Sequence, residues 1–458
     1  MVLSPALFAP LLNNPPGLRH LIVAYSGGLD SHVLLHLLAT DRAARPEPTL
    51  AARYVDHGLH PASALWGEHC ARICRALAVP LRVLKADARP LAGESPEAAA
   101  RRVRYAALAA ELEPDTGLLT AHHRDDQAET LLLQLLRGAG PHGLAAMPAA
   151  ARLGQGWLLR PLLEVGRTEL LAYARARHLH WIEDASNRDS AFDRNYLRHH
   201  ILPLLAERWP AAHRNLARSA RWCAETADWL NAEAATDLSG VVAGRADALR
   251  LPPLCELSDI RQRNVVRFWL RRLGLPVPDH RQLRRLLHDT LTAGRDRRPC
   301  VRWPGGEARR YRDSLYAMPP LPPHDARQTF SWRGCGDGWP PLELPGVGRL
   351  RMRAASGQGL RAAIGCDGPL IVRFRNGGER FQPVGRRHSQ ELKKLLQEAG
   401  IPPWERDRLP LLYHGASLLA VVGLGIAADL VARPGETGWQ PVLEPPLEYR
   451  GPSTGSDR

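Results

Sequence analysis

The sequence predicts an α/β protein: a doubly wound, mostly parallel sheet first, then a mainly helical middle domain, then a small α+β domain at the C-terminus. Three observations carry this expectation. Short apolar, β-branched runs alternate with amphipathic runs at helical spacing between residues 20 and 177, the pattern of a parallel sheet covered on both faces. The first strand signal enters the first helix signal through a double-glycine turn, SGGLDS at 26–31. Strand signals then crowd the last stretch of the chain around one short helix. At 458 residues the chain exceeds a comfortable single domain, and the composition shifts place domains at 1–209, 210–325 and 345–446.

Taken in order, HLIVAY (20–25) is a buried strand, and Val33, Leu34, Leu37 and Leu38 give the next run a helical face. ARYVDHG (52–58) repeats the strand signal, and 62–78 reads as a helix through Leu65, Cys70, Ile73, Cys74 and Leu77. PLRVLKAD (80–87), the helix 96–112, GLLTAHH (117–123) and the helix 124–138 continue the alternation. A short strand (WLLRPLL), a helix at 167–177, a polar loop and a helix from Tyr196 to Glu207 close the first domain. Residues 210–234 read as a long amphipathic helix, followed by a weakly patterned connector, helices near 257–273 and 279–292, and a short β segment at 300–317. Prolines and glycines mark 318–346 as a linker. Beyond it LRMR, PLIVRFR, RLPLLYH and SLLAVVGLG are strands around the helix 389–400.

A formal net charge of +14 points to an extended polyanion as partner, although nearly all the positive charge is arginine, which a biased genome also produces. Seven cysteines, an odd count scattered without a C-x-x-C pair, indicate neither a disulfide framework nor a zinc ribbon. The N-terminal stretch lacks the basic leader of a secretory signal, and no run approaches a membrane span, so the expected location is the cytoplasm, with no membrane partner.

The SGGLDS turn reads as a phosphate cradle. Gly27 and Gly28 permit positive φ and close approach, so that the amides of Ser26, Gly27, Gly28, Leu29 and Ser31 face an anion where a new helix presents unpaired N–H groups. Asp30 is the odd member: a carboxylate at a phosphate site implies a Mg²⁺ ion between them or a helix cap. AHHRDDQAET gathers His122, His123, Asp125, Asp126 and Glu129 at the start of another helix, and the i, i+3 pair Asp126 and Glu129 supplies hard oxygens suited to Mg²⁺. Asp56 and His57 follow the second strand, where a ribose or base is often held. Of Arg101, Arg102 and Arg104, at least one can face the ligand edge of the sheet, with the others on the surface. Arg281, Arg284 and Arg285 on the helix 279–292 suit either a solvated face or RNA contact. No glycine–lysine pair exists, which excludes a Walker A loop, and VVGLGIAA lacks a surrounding βαβ unit, so it is a turn rather than a dinucleotide site.

SGGLDS after a strand, then VDHGLH, EAAARRVRYAAL, HHRDDQAETLLLQLLRGAG, IEDASNRDSAFDRNYLRHHILPLL and the C-terminal GERFQPVGRRHSQELKKLLQEAGIPPWERDRLPLLY together resemble the PP-loop (N-type) ATP pyrophosphatase superfamily, and within it the tRNA(Ile)-lysidine synthetases. The resemblance touches all three expected domains. It implies a Rossmann-like PP-loop ATPase domain and a two-step reaction. ATP adenylates O2 of the wobble cytidine (C34) of the CAU anticodon of tRNA(Ile), releasing pyrophosphate, and L-lysine then displaces AMP to form lysidine. The resemblance implies ATP phosphates on Ser26 to Ser31, Mg²⁺ near Asp30 and Asp126, and a reacting centre at His122, Asp126 and Glu129. It makes Arg194 and Arg198 the candidates for phosphate or the activated base. Arg380, Arg386, Arg387, Lys393 and Lys394 around the C-terminal helix become tRNA phosphate contacts. Two rivals stand beside this reading, namely another PP-loop tRNA-modifying or amide-forming synthetase and a basic RNA-binding factor with a structural nucleotide loop. Oligomeric state stays open, a homodimer included.

Overall fold

The computed structural model describes residues 3–4, 8, 15–42, 48–56, 58, 63–90, 94–184, 189–294, 297–334, 338–365 and 368–444. The chain divides into two compact units, Met1–Leu230 and Asn231–Arg458.

In the first unit β1 (His20–Ala24), β2 (Thr49–Asp56), β3 (Leu81–Lys85), β4 (Thr116–Leu119), β5 (Ala150–Leu153) and β6 (Gly156–Leu159) form one sheet in the order β3-β2-β1-β4-β6-β5. All neighbours are parallel except the β5–β6 hairpin. The helices are α1 (Leu29–Arg42), α2 (Ser63–Ala76), α3 (Pro96–Ala109), α4 (Arg124–Leu136), α5 (Pro141–Leu144) and α6 (Arg167–Ala176). Alternation along β1 explains why both faces are covered: Leu21 and Val23 join Val33, Leu34, Leu37 and Leu170 in one core, whereas Ile22 joins Leu108, Leu112, Leu118 and Leu158 in the other. Each such side chain contributes about 1.5–3 kcal/mol by leaving water. The chain winds outward from β1 to β3 and returns to β4 on the opposite side of β1. The loops after β1 and β4 are thereby adjacent, the position where a doubly wound sheet opens a crevice.

The expected helix from Tyr196 to Glu207 is broken. α7 (Asp193–Tyr196) passes into a π turn, Leu197–Ile201, and then into α8 (Leu202–Arg208). Pro203, at the start of α8, has no N–H for the ordinary ladder, and the wider turn precedes it. The long helix α9 (Ala212–Val241) outruns its expected end at 234, because Leu238 and Val241 extend the buried stripe while Ser239 and Gly240 face water. The division between the units falls within it.

In the second unit β7 (Ala248–Arg250), α10 (Leu251–Glu256), α11 (Asp259–Arg272), α12 (His280–Thr292), β8 (Cys300–Trp303), β9 (Gly306–Tyr311) and β10 (Ser314–Met318) build a sheet ordered β7-β10-β9-β8 against helices, with Trp269 buried in the core. The expected linker carries two short strands, β11 (Thr329–Trp332) and β12 (Leu342–Leu344), because Trp332 and Leu344 bury themselves. They join sheets with β13 (Gly348–Ser356), β14 (Leu360–Arg361), β15 (Leu370–Arg373), β18 (Leu411–His414), β19 (Ser417–Val421), β20 (Gly425–Ile426) and β21 (Thr437–Glu444). The hairpin β16 (Arg380–Phe381) and β17 (Gln390–Glu391) leads into α13 (Leu392–Glu398), and α14 is Pro403–Arg406. Among the described residues no helix is long and apolar enough to cross a membrane.

Candidate active site

The loop between β1 and α1 is shaped by two glycines with different duties. Gly27 sits at φ +80°, and a Cβ there would lie 2.7 Å from Ile182 Cδ1 and 3.0 Å from Cys70 Sγ. Ile182 N also donates to Gly27 O at 2.9 Å, so the loop is held from outside its own segment. At Gly28 a Cβ would meet nothing nearer than 3.5 Å, which leaves its outer side open to a ligand. Ser31 Oγ donates to Gly28 O (3.1 Å), accepts from Ser26 N (3.3 Å) and lies 3.0 Å from Ser26 Oγ, so the two hydroxyls brace the turn.

The loop after β4 meets it through histidine. His123, 1% exposed, is the N-cap of α4, and its backbone N–H donates to Asp126 Oδ2 at 2.9 Å. Its ring is surrounded by three carboxylates. Nε2 lies 3.7 Å from Asp30 Oδ2 and 3.5 Å from Asp126 Oδ2, and Nδ1 lies 3.5 Å from Asp125 Oδ2. Burial opposes protonation of His123, but the Asp125 contact and the charges of Asp126 and Asp30 outweigh it and raise its pKa. Asp125 also accepts from Arg167 N at 2.9 Å and lies 3.4 Å from His213 Nε2. Despite burial, these partners hold its carboxyl well below the usual range. Burial raises the Asp30 pKa, and Asp30 Oδ1 is a buried oxygen without a hydrogen-bond partner.

One and two turns further along α4 the charges reverse. Glu129, fully buried, accepts from Arg198 Nε (2.7 Å) and Nη2 (3.0 Å), and Arg194 Nε lies 3.4 Å away. Arg198 Nη2 reaches Asp126 Oδ1 at 3.1 Å, and Arg194 Nη2 donates to Thr130 Oγ1 at 2.9 Å. Burial raises the Glu129 pKa against the pull of Arg198. Asp126, also opposed by burial, is held low by His123 and Arg198. His122 points elsewhere: its Nδ1 is 2.9 Å from Thr120 Oγ1, and burial pushes its pKa down to about 3, which keeps it neutral.

The sites expected from sequence therefore sort into three groups. Ser26 to Ser31, Asp30, Asp126, Glu129, Arg194 and Arg198 form one connected network, with His122 at its margin. Asp56 ends the neighbouring strand β2, where its Oδ1 accepts from Gly58 N at 2.9 Å, and His57 lies outside the described residues. Arg380, Arg386, Arg387, Lys393 and Lys394 are exposed around α13 in the second unit, with Arg386 paired to Glu398 at 2.7 Å and Arg380 donating to Ser389 O. Sequence reasoning did not single out His123 as the residue that joins the two loops, nor Arg167, His213 and Ile182. Ile182 opens the quoted IEDASN segment, whereas Arg167 and His213 carry no local signal.

A strand–glycine–helix turn opposed by a carboxylate-rich helix start, at the crevice of a doubly wound sheet, defines an ATP-handling enzyme of the PP-loop class, and the PP-loop domain model matches residues 6–205. The TilS substrate binding domain model matches 249–316 and the TilS substrate C-terminal domain model matches 370–443. The chain is 47% identical over 416 residues to the tRNA(Ile)-lysidine synthase of Alkalilimnicola ehrlichii, covering 90% of this chain and 91% of that one. It is 42% identical to the enzyme of Coxiella burnetii, covering 93% of each, and 45% identical to that of Methylococcus capsulatus, covering 88% and 90%. The chain belongs to the tRNA(Ile)-lysidine synthase family.

Proposed function

We propose that this protein is the ATP-dependent ligase that converts the wobble cytidine of tRNA(Ile) with a CAU anticodon to lysidine. ATP transfers AMP to O2 of the cytidine with loss of pyrophosphate. The amine of L-lysine then attacks C2, and AMP leaves with that oxygen. The observation that carries this reading is the junction of the SGGLDS loop with the start of α4 through His123, in a chain of this family.

The amides of 26–31 and the hydroxyls of Ser26 and Ser31 orient the triphosphate. Asp30 and Asp126 are the residues that would hold Mg²⁺, which when bound neutralises phosphate charge. The unpartnered buried Oδ1 of Asp30 fits a cation. An ion of this kind takes one or two carboxylates, with phosphates and water completing its shell. Glu129 is occupied by two guanidiniums, so it works as a positioning residue for Arg198 and Arg194, which face developing negative charge. Asp126, between the His123 ring and Arg198, is the carboxylate assigned to take a proton from the lysine ammonium.

AMP release that requires both the tRNA and lysine, with lysine incorporated into the RNA, is the expected result. Lysine-independent release would overturn the reading. On preformed adenylated tRNA, Asp126→Asn should slow lysine transfer by roughly 10²-fold or more. Full second-step rate in that variant would remove Asp126 from proton transfer.

A further inference from the structure

The segment that delivers Arg194 and Arg198 to the site carries a second set of side chains that none of the roles above uses. Arg194 and Arg198 are four residues apart and turn inward onto α4, where they meet Glu129, Thr130 and Asp126. Tyr196 and His200, also four residues apart, alternate with them, and residues two apart on a helix do not share a face. Tyr196 is accordingly 50% exposed, and His200 is exposed beside it. Their rings pack together, with centroids 5.0 Å apart and planes tilted by 36°. Ser190 Oγ lies 2.9 Å from His200 Nε2 and anchors the imidazole. Four residues further on, Leu204 is 63% exposed. An aromatic and apolar stripe thus runs along the water-facing side of α7, the π turn and the start of α8.

This stripe differs from a scatter of exposed rings in three ways. Its aromatic pair is ordered in advance by ring packing and by Ser190, which lowers the cost of binding a partner. The π turn carries Arg198 and His200 together, so the bonds that seat Arg198 against Glu129 also set the imidazole. The arginines keep an open side, with 26% of the Arg194 side chain and 23% of the Arg198 side chain exposed. A base that reaches these guanidiniums from outside arrives beside Tyr196, which is two residues, or about 3 Å of helical rise, from each. The substrate then selects the occupant. The reacting cytidine belongs to a single-stranded loop and is joined to a nucleotide on either side. Single-stranded RNA is held by stacking its bases on aromatic side chains, and every base has a π-face to offer. A second protein is the poorer fit, because three half-exposed side chains offer far less area than the roughly 800 Å² per partner of a stable interface.

We propose that Tyr196, backed by His200, is a stacking platform for an anticodon-loop base next to the reacting cytidine. The stacked neighbour stays on the water-facing side of the segment while the cytidine turns inward to Arg194, Arg198 and Asp126. The assignment rests on the ligase reading above and extends it to the placement of the RNA loop.

The test pairs protein variants with abasic RNAs, full tRNA substrates that lack the base on one or the other side of the reacting cytidine, in lysine-dependent AMP release. Tyr196→Ala should raise the KM for intact tRNA about tenfold with the KM for ATP little changed, and Tyr196→Phe, which keeps the ring, should recover most of that loss. One of the two abasic RNAs should raise the KM of the unsubstituted protein to a similar extent and cause no further loss in Tyr196→Ala, as expected when both changes remove one contact. An unchanged tRNA KM in Tyr196→Ala overturns the assignment, and so do losses that simply multiply at both RNA positions. A changed sedimentation of Tyr196→Ala without RNA, uncoupled from either abasic site, also overturns it and gives the stripe to a protein interface. If Tyr196→Ala does not fold, His200→Ala decides: a smaller rise in tRNA KM coupled to the same abasic RNA supports the platform, and no coupling overturns it. Absence of any lysine-dependent AMP release in the unsubstituted protein would instead overturn the ligase reading, and this assignment with it.

Discussion

Glu129 shows how a single buried charge organises the site. With three guanidinium contacts and no exposure, it sets the position of Arg198, and Arg198 in turn reaches Asp126. Glu129→Gln removes the charge that compensates these arginines, and urea denaturation should show a loss of about 3–5 kcal/mol. Gly27→Ala is expected to weaken ATP binding by more than about tenfold in titration calorimetry, since φ +80° is strained for alanine and the added methyl meets Ile182. Unchanged affinity would remove the loop from the phosphates. His32, 3% exposed, carries a different signature. Burial pushes its pKa down to about 4, against a backbone hydrogen bond to His180, while His69, His36 and His180 add like charge. The unfolded chain takes up this proton near pH 6.5 and the folded chain only near pH 4, so stability contributed by neutral His32 is lost as pH falls through that window. The slope approaches about 1.4 kcal/mol per pH unit. Thermal unfolding between pH 7 and 5 should show that slope, and His32→Phe should flatten it.

At the scale of elements, caps and turns were largely readable because their causes are local. α12 begins where Asp279 accepts from Gln282 N at 2.7 Å and Gln282 reaches back, a reciprocal cap visible as D-x-x-Q in the sequence. Asp279→Ala should lower the stability of the chain by about 0.5–2 kcal/mol in denaturant titration. The misjudged elements fail for non-local reasons. The end of α9 depends on what Leu238 and Val241 pack against, and β11 and β12 form because neighbouring strands offer them partners. The π turn at 197–201 follows from a proline, yet nothing local dictates that it aims Arg198 at a glutamate 69 residues earlier.

For the molecule as a whole, the net charge of +14 makes salt dependence the natural probe of RNA binding. Lys393 and Lys394 are exposed on α13, whereas Arg386 and Arg380 already have partners on the protein. Neutralising both lysines should weaken tRNA binding and reduce the slope of log affinity against log salt by about one to two. An unchanged slope would take this helix out of the RNA interface.

Strand–turn–helix periodicity, the double glycine and the run of titratable residues before α4 are short-range features, so the order of residues alone settled the sheet class, the glycine turn after β1 and the carboxylate-rich helix start. Pairing across the chain was decided only in the folded protein. The placement of β4 beside β1 brings His123 to Asp30, and β6 beside β4 sets a buried Arg160 next to Thr120. The physical reason is that a parallel sheet joins strands through long crossovers, so the residues that meet at its carboxyl edge are far apart in sequence and are selected by packing.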